Sequence, residues 1–339
     1  MLRIGVLGTA NIAERRMIPA LLKCNQTEYV GVAIATIEEL GIQCTEEEAD
    51  SIRDKKESKA KRFVAQFGGM YFTGYEELLK CKDIDAVYIP LPPTLHYRWI
   101  MLALEYGKHV IAEKPLTVSL EQTERIIEAA RKRSLAVIEN YGFCYHKQMD
   151  LIGDLIKSKE IGDLRLLRAM FCFPHREESD FRYNRSLGGG ALLDCGGYTL
   201  KVASHFLGAS AKIESANLVT TPGHEVDIYG SATVRNDDGL CAQVSFGMDN
   251  SYKCELEIYG SKGSIIATRI FTAPAEYDAA VLLDNKYRHE EMKNQDDQFE
   301  KLVLAFIDCV RDEKRRRKEY DSMRRQADLV ECVMDKGNI

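Results

Sequence analysis

Glu113-Lys114-Pro115 ends the apolar run His109-Val110-Ile111-Ala112. A lysine at the mouth of such a strand can point its ammonium into a cofactor crevice and hydrogen-bond a substrate hydroxyl or carbonyl. The glutamate before it can hold nearby groups, and the proline fixes φ and is a candidate for a cis bond. An exposed turn has the same composition, so the tripeptide draws its weight from standing after a fifth parallel-strand pattern. A second constellation is Gly188-Gly189-Gly190-Ala191-Leu192-Leu193-Asp194-Cys195-Gly196-Gly197-Tyr198. On a helix, Asp194 and Tyr198 are four apart and share a face. Lys201 and His205 continue that stripe, and Leu193, Leu200, Ala203 and Leu207 form a buried one opposite. A solvated face is the usual meaning of such a stripe. Gly196-Gly197 opposes it: each glycine costs a helix about 1 kcal/mol, and a tolerated cost of this kind often marks close approach of a backbone or ligand. Tyr198 is an apt proton donor if Lys114 or a cofactor lowers its pKa.

A third signal follows the first apolar run. Gly8-Thr9-Ala10-Asn11-Ile12-Ala13 reads G-x-A-x-x-A where a dinucleotide fingerprint reads G-x-G-x-x-G. Gly8 permits the tight turn, small residues allow close approach, and a helix start favours the pyrophosphate anion. Gly8, Thr9, Ala10, Asn11 and Ile12 are therefore expected at a cofactor, against the bland alternative of an ordinary strand-to-helix turn. The second strand ends Ala35-Thr36-Ile37, with no acid for a ribose 2′-hydroxyl. This favours NADP(H) over NAD(H), with Thr36 and Arg53 as contacts. Leu91 and Pro92 lie in a rigid loop at the carboxyl edge of the fourth strand, where ligands bind in open α/β sheets. His96 either borders the nicotinamide or substrate, or faces solvent at a helix start. The segment from Glu139 to Gln148, with Tyr141 and His146, lines a sugar-shaped pocket or is a plain domain junction. His175, Arg176 and Arg182 are further candidates for substrate contact.

These residues need a frame. Strand and helix patterns alternate through the first part, which gives a doubly wound parallel sheet of the Rossmann type. Ile37–Ser51 interrupts the pattern and reads as a solvated loop or short helix. Beyond residue 150, strand patterns dominate around one strong helix at Ala191–Leu207, which gives an α+β domain with a large, mostly antiparallel open sheet. Helical patterns at Asp297–Asp312 and Tyr320–Met334 close the chain. The expected domains are 1–125 and 126–339.

Composition limits the function. The 339 residues carry a net charge of −6, against a nucleic-acid partner. The basic run Lys314-Arg315-Arg316-Arg317-Lys318 reads as a solvated helix end, with a phosphate or partner contact as the minority reading. Ten scattered cysteines with no C-x-x-C pair give no local zinc signature and suit a reducing compartment. No signal peptide and no bilayer-length apolar run are evident, so no membrane association and a cytoplasmic location are expected.

Taken together, Gly8–Ala13, Tyr88–His96, Glu113-Lys114-Pro115 and Gly188–Tyr198 resemble the Gfo/Idh/MocA oxidoreductases over nearly the whole length. The resemblance implies a Rossmann domain, a C-terminal domain whose open sheet forms a homodimer or homotetramer, and a tightly held NAD(H) or NADP(H). It implies that Lys114 and Tyr198 assist hydride transfer on a sugar or cyclic alcohol. Tyrosine at 198, where many members have histidine, looks like the branch of sugar-nucleotide 3-ketoreductases and dihydrodiol dehydrogenases. The expectation is an NADP(H)-dependent reductase of a keto-sugar. Tyr198 is its proton donor, Lys114 polarises the carbonyl, and Glu113 and Asp194 orient the pair. The alternatives are a trans-dihydrodiol or free-sugar dehydrogenase, and a non-catalytic regulator sensing cofactor and sugar.

Overall fold

A computed structural model describes residues 1–337. The chain divides into two compact units. The first comprises Met1–Thr117, Glu121–Asn140 and Leu302–Asp321; the second comprises Val118–Leu120, Tyr141–Lys301 and the chain from Ser322 onward. The expected division between 125 and 126 would cut through the helix Leu120–Arg133 and misses the return of the chain to the first unit.

The first unit is built on β1 (Leu2–Leu7), β2 (Thr27–Ile34), β3 (Met70–Thr73), β4 (Ala86–Ile89), β5 (His109–Ala112) and β6 (Val137–Glu139). All are paired in parallel in the order β3-β2-β1-β4-β5-β6. The order reverses at β1 and β4, the switch point at which open α/β sheets bind ligands. The strands are nearly continuous apolar runs because parallel sheets are covered on both faces; all four residues of β4 are buried. The helices are α1 (Ile18–Lys23), α2 (Ile37–Leu40), α3 (Glu46–Phe67), α4 (Tyr75–Lys80), α5 (Pro93–Glu105) and α6 (Leu120–Arg133).

Much of the acidic stretch read as an interruption is the start of α3. Thr45 and Glu48 form a reciprocal capping box, and Glu46, Glu47 and Glu48 sit in the first turn, where carboxylates complement the helix dipole. The expected helix at Lys55 therefore begins nine residues earlier, at Glu46.

The second unit carries α7 (Lys147–Lys157), α8 (Gly197–Leu207) and eight strands. The strands are β7 (Leu164–Cys172), β8 (Lys212–Val219), β9 (Tyr229–Arg235), β10 (Cys241–Gly247), β11 (Lys253–Gly260), β12 (Gly263–Thr268), β13 (Ala279–Asn285) and β14 (His289–Asn294). Their order is β14-β13-β12-β11-β7-β10-β9-β8, with β7 and β10 the one parallel pair. Alternate residues such as Leu167, Ala169, Phe171, Leu256, Ile258 and Val244 are buried in its core. The opposite face is mixed, with Arg168 paired to Glu257 and Met170, Tyr229 and Leu282 exposed.

The chain ends with α9 (Gln298–Arg311) and α10 (Glu313–Gly337). The basic run lies in the opening turns of α10. Arg315 pairs with Asp308, Arg317 with Glu313, and Arg316 donates to the carbonyls of Cys309 and Val310 at the end of α9. These guanidinium groups cap α9 and pair with one acid in its last turns and one at the start of α10. No helix among the described residues is long and apolar enough to cross a membrane.

Candidate active site

At the switch point, Gly8 has φ +100°, a value that glycine alone adopts readily. Its N–H donates to the Ala33 carbonyl at 2.9 Å. A Cβ there would lie 3.1 Å from Leu91 Cδ2 and 3.2 Å from the Tyr75 hydroxyl, so the turn also needs the absent side chain for packing. The chain then enters a helix, with Glu14 N–H bonded to the Ala10 carbonyl, a wide π turn at Ala13–Met17, and α1. Asn11 and Ile12 are exposed at this start, and Thr9 and Ala10 half-buried. The first backbone N–H groups of a helix have no intrahelical acceptor. A tight glycine turn feeding them fits a dinucleotide pyrophosphate.

Thr36 is engaged locally. Its hydroxyl accepts from Glu39 N–H, and the Glu39 carboxylate accepts from the N–H groups of Thr36, Tyr75 and Glu76, all at 2.9 Å. One carboxylate thereby ties the end of β2 to the start of α4. Arg53 pairs with Asp50 at 2.6 Å. The Glu38 carboxyl is held below its usual range by its own backbone N–H, then by the Thr36 hydroxyl, with Arg53 adding a smaller effect. The two residues expected at a 2′-phosphate thus already serve as a helix cap and a partner to acids.

Pro92 sits at the N-cap of α5. His96 does not face solvent. It is fully buried, with Nε2 2.7 Å from the Leu91 carbonyl and Nδ1 2.8 Å from the Pro115 carbonyl. Burial lowers its pKa, against the pull of those carbonyls. The ring staples the loop after β4 to the turn after β5. Glu113 Oε1 accepts from the Tyr88 hydroxyl at 2.5 Å and from Asn140 Nδ2 at 2.6 Å. Burial raises the Glu113 carboxyl, and these donors oppose the shift. Glu139 Oε1 accepts from Leu116 N–H at 2.8 Å. The Lys114–Pro115 peptide is cis. The bonds of Glu113, His96 and Glu139 hold the turn that carries Lys114, with Glu113 bracing it from within.

In the second unit, Leu192–Gly196 forms a π turn that leads into α8, with Gly197 N–H bonded to the Leu192 carbonyl. The wide turn breaks the 3.6-residue phase assumed for a shared face. Asp194 takes Arg182 Nε at 2.6 Å, and the same guanidinium reaches Asp180 at 3.0 Å. The Asp194 side chain is only 10% exposed, so this end of the stripe is not a solvated face. The Tyr198 ring packs edge-on to Tyr141 at 5.1 Å and to Phe171 at 5.2 Å, with Phe143 and Phe271 also against it. Lys201 donates to Ser322 at 2.9 Å. Leu193, Leu200, Ala203 and Leu207 are buried as expected.

Tyr141 and His146 are both buried. Tyr141 is 1% exposed and receives a hydrogen bond from Gln326 at 3.3 Å; it backs Tyr198. His146 is equally buried and caps α7 by accepting from Gln148 N–H.

The glycine pair is explained by packing. A Cβ on Gly196 would sit 3.1 Å from Leu192 and the Phe246 ring, and one on Gly197 would collide with the Tyr141 hydroxyl. Overpacking costs about 1–3 kcal/mol. Gly197→Ala should lower the melting temperature and displace the ring behind Tyr198. Adding Tyr141→Phe should recover part of that loss, because the second change removes the colliding oxygen. Additive losses in a double-mutant cycle would show that the contact is unimportant.

Sequence reasoning missed Asp227. Its carboxylate accepts from Leu192 N–H at 2.6 Å and its backbone carbonyl accepts from Ala191 N–H at 2.8 Å, fixing the start of the segment that carries Asp194 and Tyr198. Burial pushes its carboxyl up to about 6 from 3.8, against these hydrogen bonds. A raised carboxyl loses its proton first in the unfolded chain, so stability falls as pH rises from about 4 to about 6 and levels off above. The contribution is on the order of 2–3 kcal/mol. Asp227→Asn should flatten urea-melt stability across that window; an unchanged slope would place the pH dependence elsewhere.

Residues 2–141 match the GFO_IDH_MocA oxidoreductase family with its NAD-binding Rossmann fold, and residues 150–266 match the GFO/IDH/MocA C-terminal domain. The chain is 38% identical over 338 residues to a dTDP-3,4-didehydro-2,6-dideoxy-alpha-D-glucose 3-reductase of Saccharopolyspora spinosa, covering 98% of this chain and 96% of that one. Crystalline KijD10, a 3-ketoreductase of Actinomadura kijaniata in complex with NADP and TDP-benzene, superposes with a TM-score of 0.89 at 37% identity, covering 99% and 97% of the two chains. Variants of KijD10 with one lysine or one tyrosine replaced have been crystallised with the same ligands.

Proposed function

Since this chain belongs to the GFO/IDH/MocA oxidoreductase family, we propose that it is an NADP(H)-dependent 3-ketoreductase acting on a deoxy keto-sugar carried by thymidine diphosphate. The observation that carries this reading is similarity to dTDP-sugar 3-reductases over nearly the full length of both chains. The lysine and tyrosine replaced in KijD10 stand as far apart in sequence as Lys114 and Tyr198 do here, which supports equivalent roles. Gly8 to Ile12 hold the dinucleotide, with Leu91 and Pro92 beside it. Bound NADPH supplies the hydride.

Tyr198 donates its phenolic proton to the sugar oxygen as the ketone becomes an alcohol. The Lys114 ammonium stabilises the negative charge developing on that oxygen; such oriented donors are commonly the largest electrostatic part of catalysis. Glu113, with Tyr88, Asn140 and His96, keeps the lysine's turn in place. Asp194 acts through Arg182, and Tyr141 through the ring of Tyr198. The outer face of the eight-stranded sheet, with Met170, Tyr229 and Leu282 exposed, is the surface for a homodimer or homotetramer. Ten free thiols suit the cytoplasm.

Oxidation of NADPH and of NADH, followed against dTDP-keto-sugars, free ketoses and trans-dihydrodiols (the diols with the oxidised cofactors), tests the reading. Turnover confined to nucleotide-linked ketones with NADPH is expected. Turnover of diols or free sugars alone would transfer the activity to those substrates. Cofactor fluorescence that responds to sugars without turnover would make the chain a sensor.

A further inference from the structure

We propose that His175, Glu178 and His224 form a divalent-cation site of the zinc class. One ligand atom from each residue lies within 4.8 Å of the other two. His175 and Glu178 come from the loop after β7, and His224 from the connection between β8 and β9. His175 Nε2 is 3.1 Å from Glu178 Oε1, and His224 Nε2 is 3.5 Å from Glu178 Oε2.

The opposite nitrogens of both rings are held by hydroxyl oxygens. Tyr183 lies 3.2 Å from His175 Nδ1, and Thr221 lies 3.0 Å from His224 Nδ1. The neighbours of Tyr183 define its part: Arg176 N–H donates to the phenolic oxygen at 3.0 Å, and the Met248 carbonyl takes its proton at 3.4 Å. With that oxygen accepting from Nδ1–H, Nε2 of His175 would present its lone pair to an ion; with no ion bound, Nε2–H can instead donate to Glu178 Oε1 at 3.1 Å. Zinc-binding histidines are oriented in this way, with the second ring nitrogen donating to an oxygen. His224 Nε2 is sealed from solvent and has no hydrogen-bond partner. Two imidazole nitrogens turned toward one carboxylate can share a positive centre placed among them. Two imidazoles and one carboxylate are a zinc donor set, with a fourth position left for water.

The ion would join two loops that flank the glycine-rich segment. The same two loops already meet where Arg185 holds Glu225. Arg182, which grips Asp194, lies on the first of them. The site therefore acts as a fastener for the loop bearing Arg182 and takes no part in hydride transfer. Nothing in the spacing of the sequence flags it, because its histidines come from loops on either side of α8.

The test uses the full chain, stripped with a chelator and titrated with zinc chloride by calorimetry, and with cobalt chloride by visible spectroscopy. One saturable zinc per chain is expected, with affinity at least 10-fold weaker in Glu178→Gln and in His224→Gln. Zinc should raise the melting temperature of the parent chain and leave Glu178→Gln unmoved. Glu178 is 74% exposed at its side chain, so that variant should fold as the parent does. Cobalt should give d–d bands without a thiolate charge-transfer band. Absence of saturable binding, undiminished affinity in both variants, or a thiolate band placing the ion on cysteines would each overturn the proposal.

Discussion

Tyr198→Phe is expected to lose about 10²–10⁴-fold in kcat, the range for removal of a general acid, while NADPH binds with its original affinity. The substitution keeps the ring, and the ring is what the core contacts: Tyr141, Phe143, Phe171 and Phe271 all pack on its carbons. Only the hydroxyl is deleted. A fall in kcat with an unchanged melting temperature would therefore report chemistry rather than packing. With hydride transfer slowed, NADPH deuterated at the transferred position should give a primary isotope effect at least as large as in the parent. The readouts are NADPH absorbance for turnover and fluorescence titration for cofactor affinity. Full turnover in this variant would remove the phenol from the mechanism.

The first unit was legible because its signals are local. A parallel strand buried on both faces must be apolar throughout, and β1, β2, β4 and β5 announce themselves in that way. The start of α3 was legible in principle, since Thr45 and Glu48 spell a capping box, but its acidic turn drew the eye as a solvated interruption. β14 carries His289, Glu290, Glu291 and Lys293 with no buried face, as edge strands do, and gives no periodic signal. β13 does alternate, burying Ala279, Val281 and Leu283, but its pattern is short and its partner strand is mostly polar.

The site divides along the same line. Glycine turns and the lysine turn are written in consecutive residues. The roles of Glu113, His96, Tyr141 and Asp194 are decided by distant partners: Asn140, Pro115, Gln326 and Arg182. A histidine or tyrosine in a polar stretch looks equally fit for ligand or core. What decides between them is whether the fold supplies an internal partner, and Asp227, reaching back to Leu192, had no local signature at all.

Lys114→Ala is expected to cost about 10²–10³-fold in kcat, the loss seen when one donor to a developing oxyanion is deleted. The turn should survive the change. Its shape is set by the Glu113 carboxylate on Tyr88 and Asn140, by His96 on the Pro115 carbonyl, and by Glu139 on Leu116, none of which uses the lysine side chain. Lys114→Arg should not restore activity, because a planar fork cannot place its charge where a compact ammonium does. Small primary amines added to Lys114→Ala should recover part of the turnover, an effect that a merely structural lysine would not give. Glu113→Gln gives a contrasting pattern: it keeps the acceptor oxygen, so kcat should fall less than in Lys114→Ala, and added amines should have no effect. An Ala variant with unchanged kcat and a raised KM for NADPH would make Lys114 a cofactor anchor and leave the charge on the sugar oxygen to another group.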